Sequence, residues 1–514
     1  MTLRDLIAGL PQKRVMGDSS VEVTGMAYHS RHVQEGFLFA AIRGLREDGK
    51  RFIPDALARG AKVLLTDETW TSSDVIQVVV RDVREALALL AATFYREPSS
   101  SLTLIGLTGT NGKTTTAYLI ESMLQAEGKE VGVMGTVNYR FGGNIQPAPT
   151  TTPESLDLQR NLRAMVDGGV THVVLEVSSH ALDLQRVRGC DFDVALFTNL
   201  SRDHLDYHAS MEAYYQAKEL LFTQCLGESH KEPHTAVINV DDGKGQDLVK
   251  RACGKILRYA VDAPAEIRPH SVQPGAGGLA IQIGTPRGVL TVNSPMIGRH
   301  NLYNILAAVG VGETLDLSFP AMAAGIQRLQ RVPGRMERVP APSGLGVFVD
   351  YAHTTDALER ALETLQEIRK ERLIVVFGCV GDRDRGKRAG MGRAAAAGSD
   401  WVILTSDNPR SEDPLKIIGE IEKGVREVIQ TRYSAEDLSP APPGPGYLVV
   451  PDRRKAINLA IRLLRPGDLV LIAGKGHEDY QILGDKRIHF DDREEASAAL
   501  AQWAGGEGVE PVSR

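Results

Sequence analysis

The sequence has few cysteines, and their spacing excludes two common structural frameworks. The chain of 514 residues contains 4 cysteines, which lie far apart at positions 190, 225, 253 and 379. No pair has CxxC spacing, which argues against a disulfide framework and against a zinc knuckle. This cysteine usage fits a protein of the reducing cytoplasm.

The chain also lacks an excess of basic residues and any long apolar run. It has 59 Lys and Arg residues against 65 Asp and Glu residues, a formal net charge of −6. With no global positive field, nucleic acid is not expected as a partner. Arg4 and Asp5 precede only a short apolar patch, and no run approaches the roughly 18 apolar residues of a membrane-spanning helix. We therefore expect a cytoplasmic protein with neither export nor a membrane span.

The stretch over residues 101–124 has the pattern of a strand, a phosphate-binding loop and a helix. Its glycines would let backbone N–H groups close on phosphate oxygens, and its lysine would add a positive charge. The strict phosphate-loop pattern requires glycine at Leu107, so a tight Gly-rich turn is the alternative interpretation. Either of two threonines, Thr114 or Thr115, could ligate Mg²⁺. The candidate nucleotide-binding residues are Gly109, Thr110, Asn111, Gly112, Lys113, Thr114 and Thr115.

Length and periodicity predict an α/β protein of about three domains. We expect a small N-terminal α/β domain over 1–97, a central domain over 98–332 with a P-loop ATPase-like parallel sheet, and a C-terminal domain over 333–514 with a Rossmann-like doubly wound sheet. A helix is expected over 305–315, and a Pro/Gly stretch over 440–445 predicts a loop. The expected strands are 21–23, 36–42, 62–65, 75–80, 102–107, 131–136, 172–177, 194–199, 235–240, 347–349, 373–379, 401–405, 447–450 and 469–473.

Polar residues lie at the carboxyl ends of the predicted strands, where parallel sheets bind ligands. Glu176 and His204 have this position in the central region, and Lys218 lies on an amphipathic helix. His204 could equally be a structural histidine, and Lys218 a solvated lysine. In the last region, the polar segments that follow strands are 350–353, 381–385, 407–410 and 474–478. They predict a substrate cleft at that edge.

Several motifs, in this order and spacing, closely resemble those of the Mur ligases. The resemblance covers essentially the whole chain and is strongest from residue 101 to 495. It implies a UDP-binding N-terminal domain, a central ATPase and a C-terminal amino-acid-binding domain. The motifs are TGTNGKTT, EVSSH, TNLSRDHLDYH, GRHNLYN, PGRMERV, DYAHTTDALE, DNPR and GKGHEDYQ.

Within this family, the resemblance implies an ATP-dependent amide ligase of peptidoglycan precursor synthesis. ATP would phosphorylate the carboxylate of UDP-N-acetylmuramoyl-L-alanyl-D-glutamate, and the amine of meso-2,6-diaminopimelate would attack the acyl phosphate. The cofactors implied are ATP and Mg²⁺. Phosphoryl transfer needs charge neutralisation more than covalent help, which suits the lysine of the phosphate loop.

The resemblance also implies roles for individual residues. Lys113, Glu176, His204 and Lys218 would be catalytic, with Lys218 carbamylated by CO₂. The metal ligands would be Thr115, Glu176, His204 and Lys218, and Asn301, Arg335 and Asp350 would complete the ATP site. The UDP-substrate residues would be Ser30, Thr151, Thr152, Ser178 and Arg186. The diaminopimelate residues would be Arg383, Asp407, Asn408, Pro409, Arg410, Gly474 and Glu478.

The chain departs from some relatives at Leu184 and at residues 45–47, which leaves the details of uridine recognition open. In the DNPR motif, Arg410 could pair with the far carboxylate of diaminopimelate, while Asp407 and Glu478 accept from its ammonium. Arg410 could instead be a surface arginine. Two other functions remain open: a folylpolyglutamate synthetase, which also activates a carboxylate with ATP, and a regulatory protein that uses the phosphate loop as a switch.

Overall fold

The computed structural model describes residues 1–44, 47–71, 75–275, 278–342, 344–434 and 444–503. The loop predicted over 440–445 lies mostly outside these ranges, as do two of the three residues at 45–47. No helix within the described ranges is long and apolar enough to cross a membrane.

The first sheet has five strands in the order β1-β5-β4-β3-β2, with only β1 antiparallel to its neighbour. Three predicted strands are present as β3, β4 and β5. The prediction of a strand over 21–23 is wrong, because those residues form no regular strand. There, Glu22 makes one isolated bridge to Thr2. The elements are α1 Leu3–Leu6, β1 Arg14–Met16, β2 Gly25–Ala27, β3 Phe37–Ala40, α2 Ile53–Ala58, β4 Val63–Thr66, β5 Ile76–Val79 and α3 Val83–Phe94.

The second sheet has eight strands, and its order places the strand before the phosphate loop near the centre: β13-β12-β11-β6-β10-β7-β8-β9. The strands from β13 to β7 are parallel, and β8 and β9 add an antiparallel edge. Its elements are β6 Thr103–Thr108, α4 Lys113–Ala126, β7 Val131–Met134, β8 Asn138–Phe141, β9 Asn144–Pro147, α5 Ser155–Asp167, β10 His172–Glu176, α6 Ser179–Asp183, β11 Val194–Phe197, α7 Met211–Leu220, β12 Thr235–Asn239, α8 Gly243–Val249 and β13 Lys255–Tyr259.

A three-stranded antiparallel sheet follows, and two helices pack it against α4. The first of them, α9, begins six residues before the predicted start at 305, so most of the motif GRHNLYN is helical. The elements are β14 Arg268–Gly275, β15 Gly278–Thr285, β16 Gly288–Ser294, α9 Arg299–Thr314 and α10 Phe319–Arg328.

The last large sheet has six strands in the order β17-β18-β22-β19-β20-β21, all parallel except β17. A short hairpin, β23 and β24, follows it. The elements are β17 Glu337–Val339, β18 Gly346–Asp350, α11 Thr355–Ile368, β19 Leu373–Phe377, α12 Arg388–Gly398, β20 Trp401–Leu404, α13 Pro414–Arg426, β21 Gly446–Val449, α14 Arg453–Arg462, β22 Leu469–Ala473, β23 Tyr480–Leu483, β24 Lys486–His489 and α15 Asp492–Gln502.

Each large parallel sheet has a hydrophobic core on both faces. Ile105 and Leu107 of β6 belong to one core, whereas Leu104 belongs to the core on the opposite face. In the last sheet, Val375 and Val376 of β19 likewise belong to two cores on opposite faces. Strands buried on both faces read as continuous apolar runs, which is why the sequence revealed them. The predicted α/β fold class, with mostly parallel sheets, is confirmed.

Candidate active site

The phosphate loop joins β6 to α4, and close contacts require glycine at two of its positions. Gly109 has a φ of +142°, and a Cβ atom there would lie 1.9 Å from Oγ1 of Thr198. Gly112 has a φ of +88°, and a Cβ atom there would lie 2.4 Å from Oδ1 of Asn304. Larger residues would displace the loop from the start of α4, where backbone N–H groups are free to bind phosphate oxygens.

Two lysines reach the same part of the loop. Nζ of Lys113 donates to the carbonyl oxygens of Gly109, at 2.8 Å, and Thr110, at 3.0 Å. Lys218 of α7 is 2% exposed, its Nζ donates to the Gly109 carbonyl at 2.9 Å, and this atom lies 4.4 Å from the centre of the Tyr214 ring. Burial lowers the pKa of Lys218 well below its usual range, and the charge of Lys113 lowers it further. Lys218 therefore has an environment that favours a neutral amine.

Glu176, at the end of β10, is buried beside the loop with three donors. Its Oε1 accepts from the Thr136 backbone N–H at 3.0 Å, and its Oε2 accepts from the Thr136 hydroxyl at 2.8 Å. The Thr114 hydroxyl donates to the same Oε2 at 3.1 Å. Of the two candidate metal-binding hydroxyls, it is thus Thr114 that contacts Glu176, while Thr115 lines the adjacent cleft.

His204 lies in the loop after β11 with a left-handed backbone, at φ 55°. Its Nε2 is 3.4 Å from Oδ2 of Asp203, and its ring centre is 4.9 Å from that of His180. Burial lowers the pKa of His204, and the positive charges of Lys218 and Lys113 act in the same direction. A neutral imidazole keeps a lone pair that can bind a metal ion.

The donor set around the loop fits Mg²⁺ bound together with a nucleotide. Within the described ranges, no three His, Cys, Asp or Glu side chains are grouped as at a site built wholly from protein ligands. Mg²⁺ is commonly held by one or two carboxylates, by substrate phosphates and by waters. The carboxylate of Glu176 and the hydroxyl of Thr114 supply the protein's share of such a site.

A cleft of about 750 Å³, counting its open mouth, lies between the second sheet and the last sheet. Arg335 spans it, because its Nη2 donates to the Thr114 hydroxyl at 3.2 Å and its guanidinium lies 4.5 Å from the Tyr351 ring centre. Sequence reasoning missed other lining residues, among them His300, Tyr303 and Arg360. The predicted nucleotide-binding residues that line the cleft are Asn111, Gly112, Thr114, Thr115, Arg335 and Asp350.

The asparagine of α9 that lines this cleft is Asn304 rather than the predicted Asn301. Nδ2 of Asn304 donates to Oδ1 of Asn301 at 3.1 Å, and Nδ2 of Asn301 donates to the Ile297 carbonyl at 2.8 Å. Asn301 therefore holds the side chain of Asn304 in place by a hydrogen bond. The two asparagines are three residues apart on α9, so they share one helix face, and the sequence could not tell which of them reaches the cleft.

Four of the five predicted UDP-substrate residues form one hydrogen-bonded group near Glu176. The Thr152 hydroxyl lies 3.4 Å from the Ser178 hydroxyl, and Nη1 of Arg186 donates to the Thr152 carbonyl at 3.1 Å. The Thr151 hydroxyl is 3.2 Å from that of Thr136, which itself contacts Glu176. The fifth, Ser30, is buried in the first region, where its side chain hydrogen-bonds Asp55.

Asp407, Asn408 and Glu478 form one cluster around a lysine that we did not predict as a site residue. Lys475 is completely buried, and its Nζ lies 3.1 Å from Oε2 of Glu478 and 3.8 Å from Oδ1 of Asp407. Nδ2 of Asn408 donates to Oε2 of Glu478 at 2.9 Å. At Gly474, where φ is +114°, a Cβ atom would lie 2.7 Å from Oδ2 of Asp407. The glycine thus leaves space for the Asp407 carboxylate.

Arg410 has a left-handed backbone, at φ 54°, and its N–H donates to the Ile482 carbonyl of the hairpin at 3.2 Å. Its Nε is buried and has no hydrogen-bond partner among the described residues, as is also true of Oδ1 of Asp407. The carbonyl of Pro409 accepts from the Glu412 N–H at 3.1 Å and closes the turn. A buried donor and a buried acceptor without hydrogen-bond partners, in one motif, suit a ligand that carries both charges.

Arg383 is placed differently from the rest of the predicted amino-acid site. Its side chain is 49% exposed, and Nη1 donates to Oδ2 of Asp206 in the second region at 3.2 Å. The structure therefore pairs Arg383 with the loop that carries His204, and not with the cluster around Lys475.

Comparison with known protein families matches three regions of the chain. Residues 22–95 match the Mur ligase family catalytic domain, residues 107–312 the Mur ligase middle domain, and residues 334–476 the Mur ligase glutamate ligase domain. A UDP-N-acetylmuramoyl-L-alanyl-D-glutamate--2,6-diaminopimelate ligase of Geobacter metallireducens is 48% identical over 504 residues, which cover 98% of this chain and 99% of that protein.

Solved structures agree. A structure of a UDP-N-acetylmuramoyl-L-alanyl-D-glutamate--2,6-diaminopimelate ligase is 33% identical, with a TM-score of 0.68 and coverage of 98% of this chain and 99% of that one. A Mycobacterium tuberculosis folylpolyglutamate synthase shares the fold with a TM-score of 0.61, but is only 20% identical over 82% of this chain and 95% of its own. The chain belongs to the Mur ligase family.

Proposed function

We propose that this protein is an ATP-dependent amide ligase that adds meso-2,6-diaminopimelate to UDP-N-acetylmuramoyl-L-alanyl-D-glutamate in peptidoglycan precursor synthesis. The observation that carries the proposal is the DNPR segment, in which Arg410 offers a buried donor and Asp407 a buried acceptor, both without hydrogen-bond partners among the described residues. Leaving such groups unpaired is unfavourable by about 1–3 kcal/mol each. A ligand with an ammonium and a carboxylate on one carbon would satisfy both groups.

The phosphate loop supplies the first half of the reaction. A carboxylate is a poor electrophile until one of its oxygens becomes part of a leaving group, and the γ-phosphoryl group of ATP provides that group. The loop N–H groups would bind the phosphates, and Lys113 would turn from the Gly109 and Thr110 carbonyls to neutralise the charge on the transferred group. Arg335, opposite the loop across the cleft, would add a second positive charge.

Glu176, Thr114, His204 and a carbamylated Lys218 would hold Mg²⁺, which neutralises phosphate charge when bound. The neutral amine of Lys218 would attack the carbon of CO₂, a C–N bond would form as one C–O π bond opens, one proton would leave to water, and the neutral amine would become an anionic carbamate. Burial favours the neutral amine that this step needs. The product anion would then lie beside the positive charge of Lys113.

In the second half, the neutral amine of the amino acid would attack the carbonyl carbon of the acyl phosphate. The amide C–N bond forms, the C–O bond to the phosphate breaks, and the released phosphate takes up the amine proton. Arg410 would form a fork to the far carboxylate, while Asp407 and Glu478 accept from the far ammonium. Arg383 would bind the near carboxylate. Because Arg383 contacts Asp206 of the second region in this structure, this role requires it to exchange Asp206 for the substrate.

The remaining assignments follow from this scheme. We propose that residues 1–97 bind the UDP moiety, that 98–332 bind ATP and that 333–514 bind the amino acid. Thr151, Thr152, Ser178 and Arg186 would contact the substrate near Glu176, and Ser30 would contact it in the first domain. A cytoplasmic location fits the nucleotide substrates and the scattered cysteines.

An ADP-release assay tests the proposal. Release should require both the UDP-muramyl dipeptide and an amino acid, and meso-diaminopimelate should be the preferred member of a panel of diamino acids. A folate in place of the dipeptide should not support release. ADP release without either substrate would favour a nucleotide switch instead.

A further inference from the structure

Lys475 is a buried cation inside the proposed amino-acid site, and the reaction scheme does not use it. Its side chain is 0% exposed. Its Nζ lies 3.1 Å from Oε2 of Glu478, 3.4 Å from Oδ1 of Asn408 and 3.8 Å from Oδ1 of Asp407. A buried ammonium is stable only when it is paired in this way.

The cluster of Lys475, Asp407 and Glu478 has an uneven charge. Two carboxylates face one ammonium, so one net negative charge remains for the substrate. The neighbouring pair of Arg453 and Asp492, whose side chains are 0% exposed, cancels its own charge. Arg410 brings one further positive charge from the same DNPR segment.

We propose that Lys475 is a specificity-determining residue, whose positive charge allows the far end of the site to accept a carboxylate beside two acidic side chains. This inference rests on the proposed function. Without Lys475, Asp407 and Glu478 would repel the far carboxylate of meso-diaminopimelate, and Arg410 alone would have to oppose them. L-Lysine, which has the far ammonium but not that carboxylate, would not suffer this repulsion.

The comparison of these two amino acids isolates the effect. Because both carry the far ammonium, changes in the contacts to that ammonium largely cancel in the ratio of their kcat/KM values. The ratio of the kcat/KM values therefore reports the electrostatic potential at the position of the far carboxylate. A purely structural role for Lys475 would lower both values together and leave the ratio unchanged.

Three variants test the inference. Lys475→Met should lower the preference for meso-diaminopimelate over L-lysine by about tenfold or more, since two unit charges within about 10 Å of each other, at an effective dielectric constant of about 20, interact by more than 1.4 kcal/mol. Glu478→Gln removes a negative charge and should raise the preference. The double variant Lys475→Met/Glu478→Gln should return it towards the wild-type ratio. Lys486→Met, at an exposed lysine of β24, is the matched control and should change nothing.

Thermal unfolding of each variant shows whether it folds. If Lys475→Met alone fails to fold, Glu478→Gln and the double variant still decide the matter, because neither leaves two carboxylates without a cation. An unchanged ratio in Lys475→Met or in Glu478→Gln, or a double variant no closer to the wild type, would overturn the role of Lys475. Equal use of both amino acids by the wild type would instead overturn the proposed function.

Discussion

Lys113 and Lys218 donate to one acceptor, the carbonyl oxygen of Gly109, at 2.8 Å and 2.9 Å. Two ammonium groups on a single carbonyl repel each other, so each disfavours the charged form of the other. A carbamate on Lys218 would replace this repulsion with attraction. We therefore expect the removal of Lys113 and the removal of Lys218 to impair enzyme activity in different ways.

Lys113→Ala should strongly impair phosphoryl transfer and leave the UDP-substrate bound. We expect kcat for ADP release to fall about a hundredfold to a thousandfold, the usual loss for one charge-stabilising donor. Calorimetric titration with the UDP-muramyl dipeptide should give a wild-type Kd. Lys129→Ala, at an exposed lysine beyond the other end of α4, is the control. Turnover near that of the wild type would refute the role of Lys113.

Lys218→Ala should be nearly inactive and should regain part of its activity when formate or acetate is added. A small carboxylate could take the place of the carbamate oxygens in the cavity that the shortened side chain leaves. The same anions should not rescue Lys113→Ala, which has lost a cation. Full activity of Lys218→Ala without any additive would show that Lys218 has no role in metal binding.

Thr114→Val should raise the Mg²⁺ concentration needed for half-maximal activity more than Thr115→Val does, because the Thr114 hydroxyl contacts Glu176. Both changes remove one hydroxyl from the same turn of α4, so each is the control for the other. The measurement is a Mg²⁺ titration of ADP release at fixed ATP. The opposite order would return the metal-binding role to Thr115.

Arg410→Ala should largely remove the preference for meso-diaminopimelate over L-lysine. In a site for lysine, Arg410 would face no anion, and the unpaired donor would be unfavourable by about 1–3 kcal/mol. The test compares kcat/KM for both amino acids in both proteins. Arg462→Ala, at an exposed arginine of α14, is the control. An unchanged ratio of the two kcat/KM values in Arg410→Ala would contradict the assignment of Arg410 to the far carboxylate.

Gly474→Ala should raise KM for the amino acid while leaving KM for ATP near the wild-type value. The added Cβ atom would lie 2.7 Å from Oδ2 of Asp407, at a φ of +114° that alanine rarely adopts. Gly484→Ala is the control, because Gly484 also has a positive φ but nothing lies within 4 Å of an added Cβ atom. Equal effects of the two changes would point to backbone strain alone.

The sequence predicted the parallel sheets well, and for a physical reason. Strands such as β6 and β19 are buried on both faces, so they appear as apolar runs whatever surrounds them. The short strands β1 and β2 and the exposed hairpin β23–β24 have no such run, and they were missed. The strand predicted over 21–23 has the right residue types, but it pairs only through Glu22.

The candidate site was predictable only where a motif determines the local backbone. The phosphate loop lies where its glycines require it, whereas the choice between Asn301 and Asn304 depends on how α9 is rotated. Lys475 was missed because a lysine in a polar loop is normally solvated, and its burial depends on packing between segments distant in sequence. The contact of Arg383 with Asp206 likewise depends on how the second and last sheets are arranged.

The hairpin β23–β24 holds Arg410 through its backbone, because the Arg410 N–H donates to Ile482 and the Gly484 N–H donates to the Arg410 carbonyl at 3.0 Å. Main-chain hydrogen bonds do not depend on which side chains the hairpin carries. Its outward-facing residues can therefore change during evolution while the backbone of Arg410 keeps its position. The exposed surface of this hairpin can therefore differ between related enzymes without any change in the reaction that the enzyme carries out in peptidoglycan precursor synthesis.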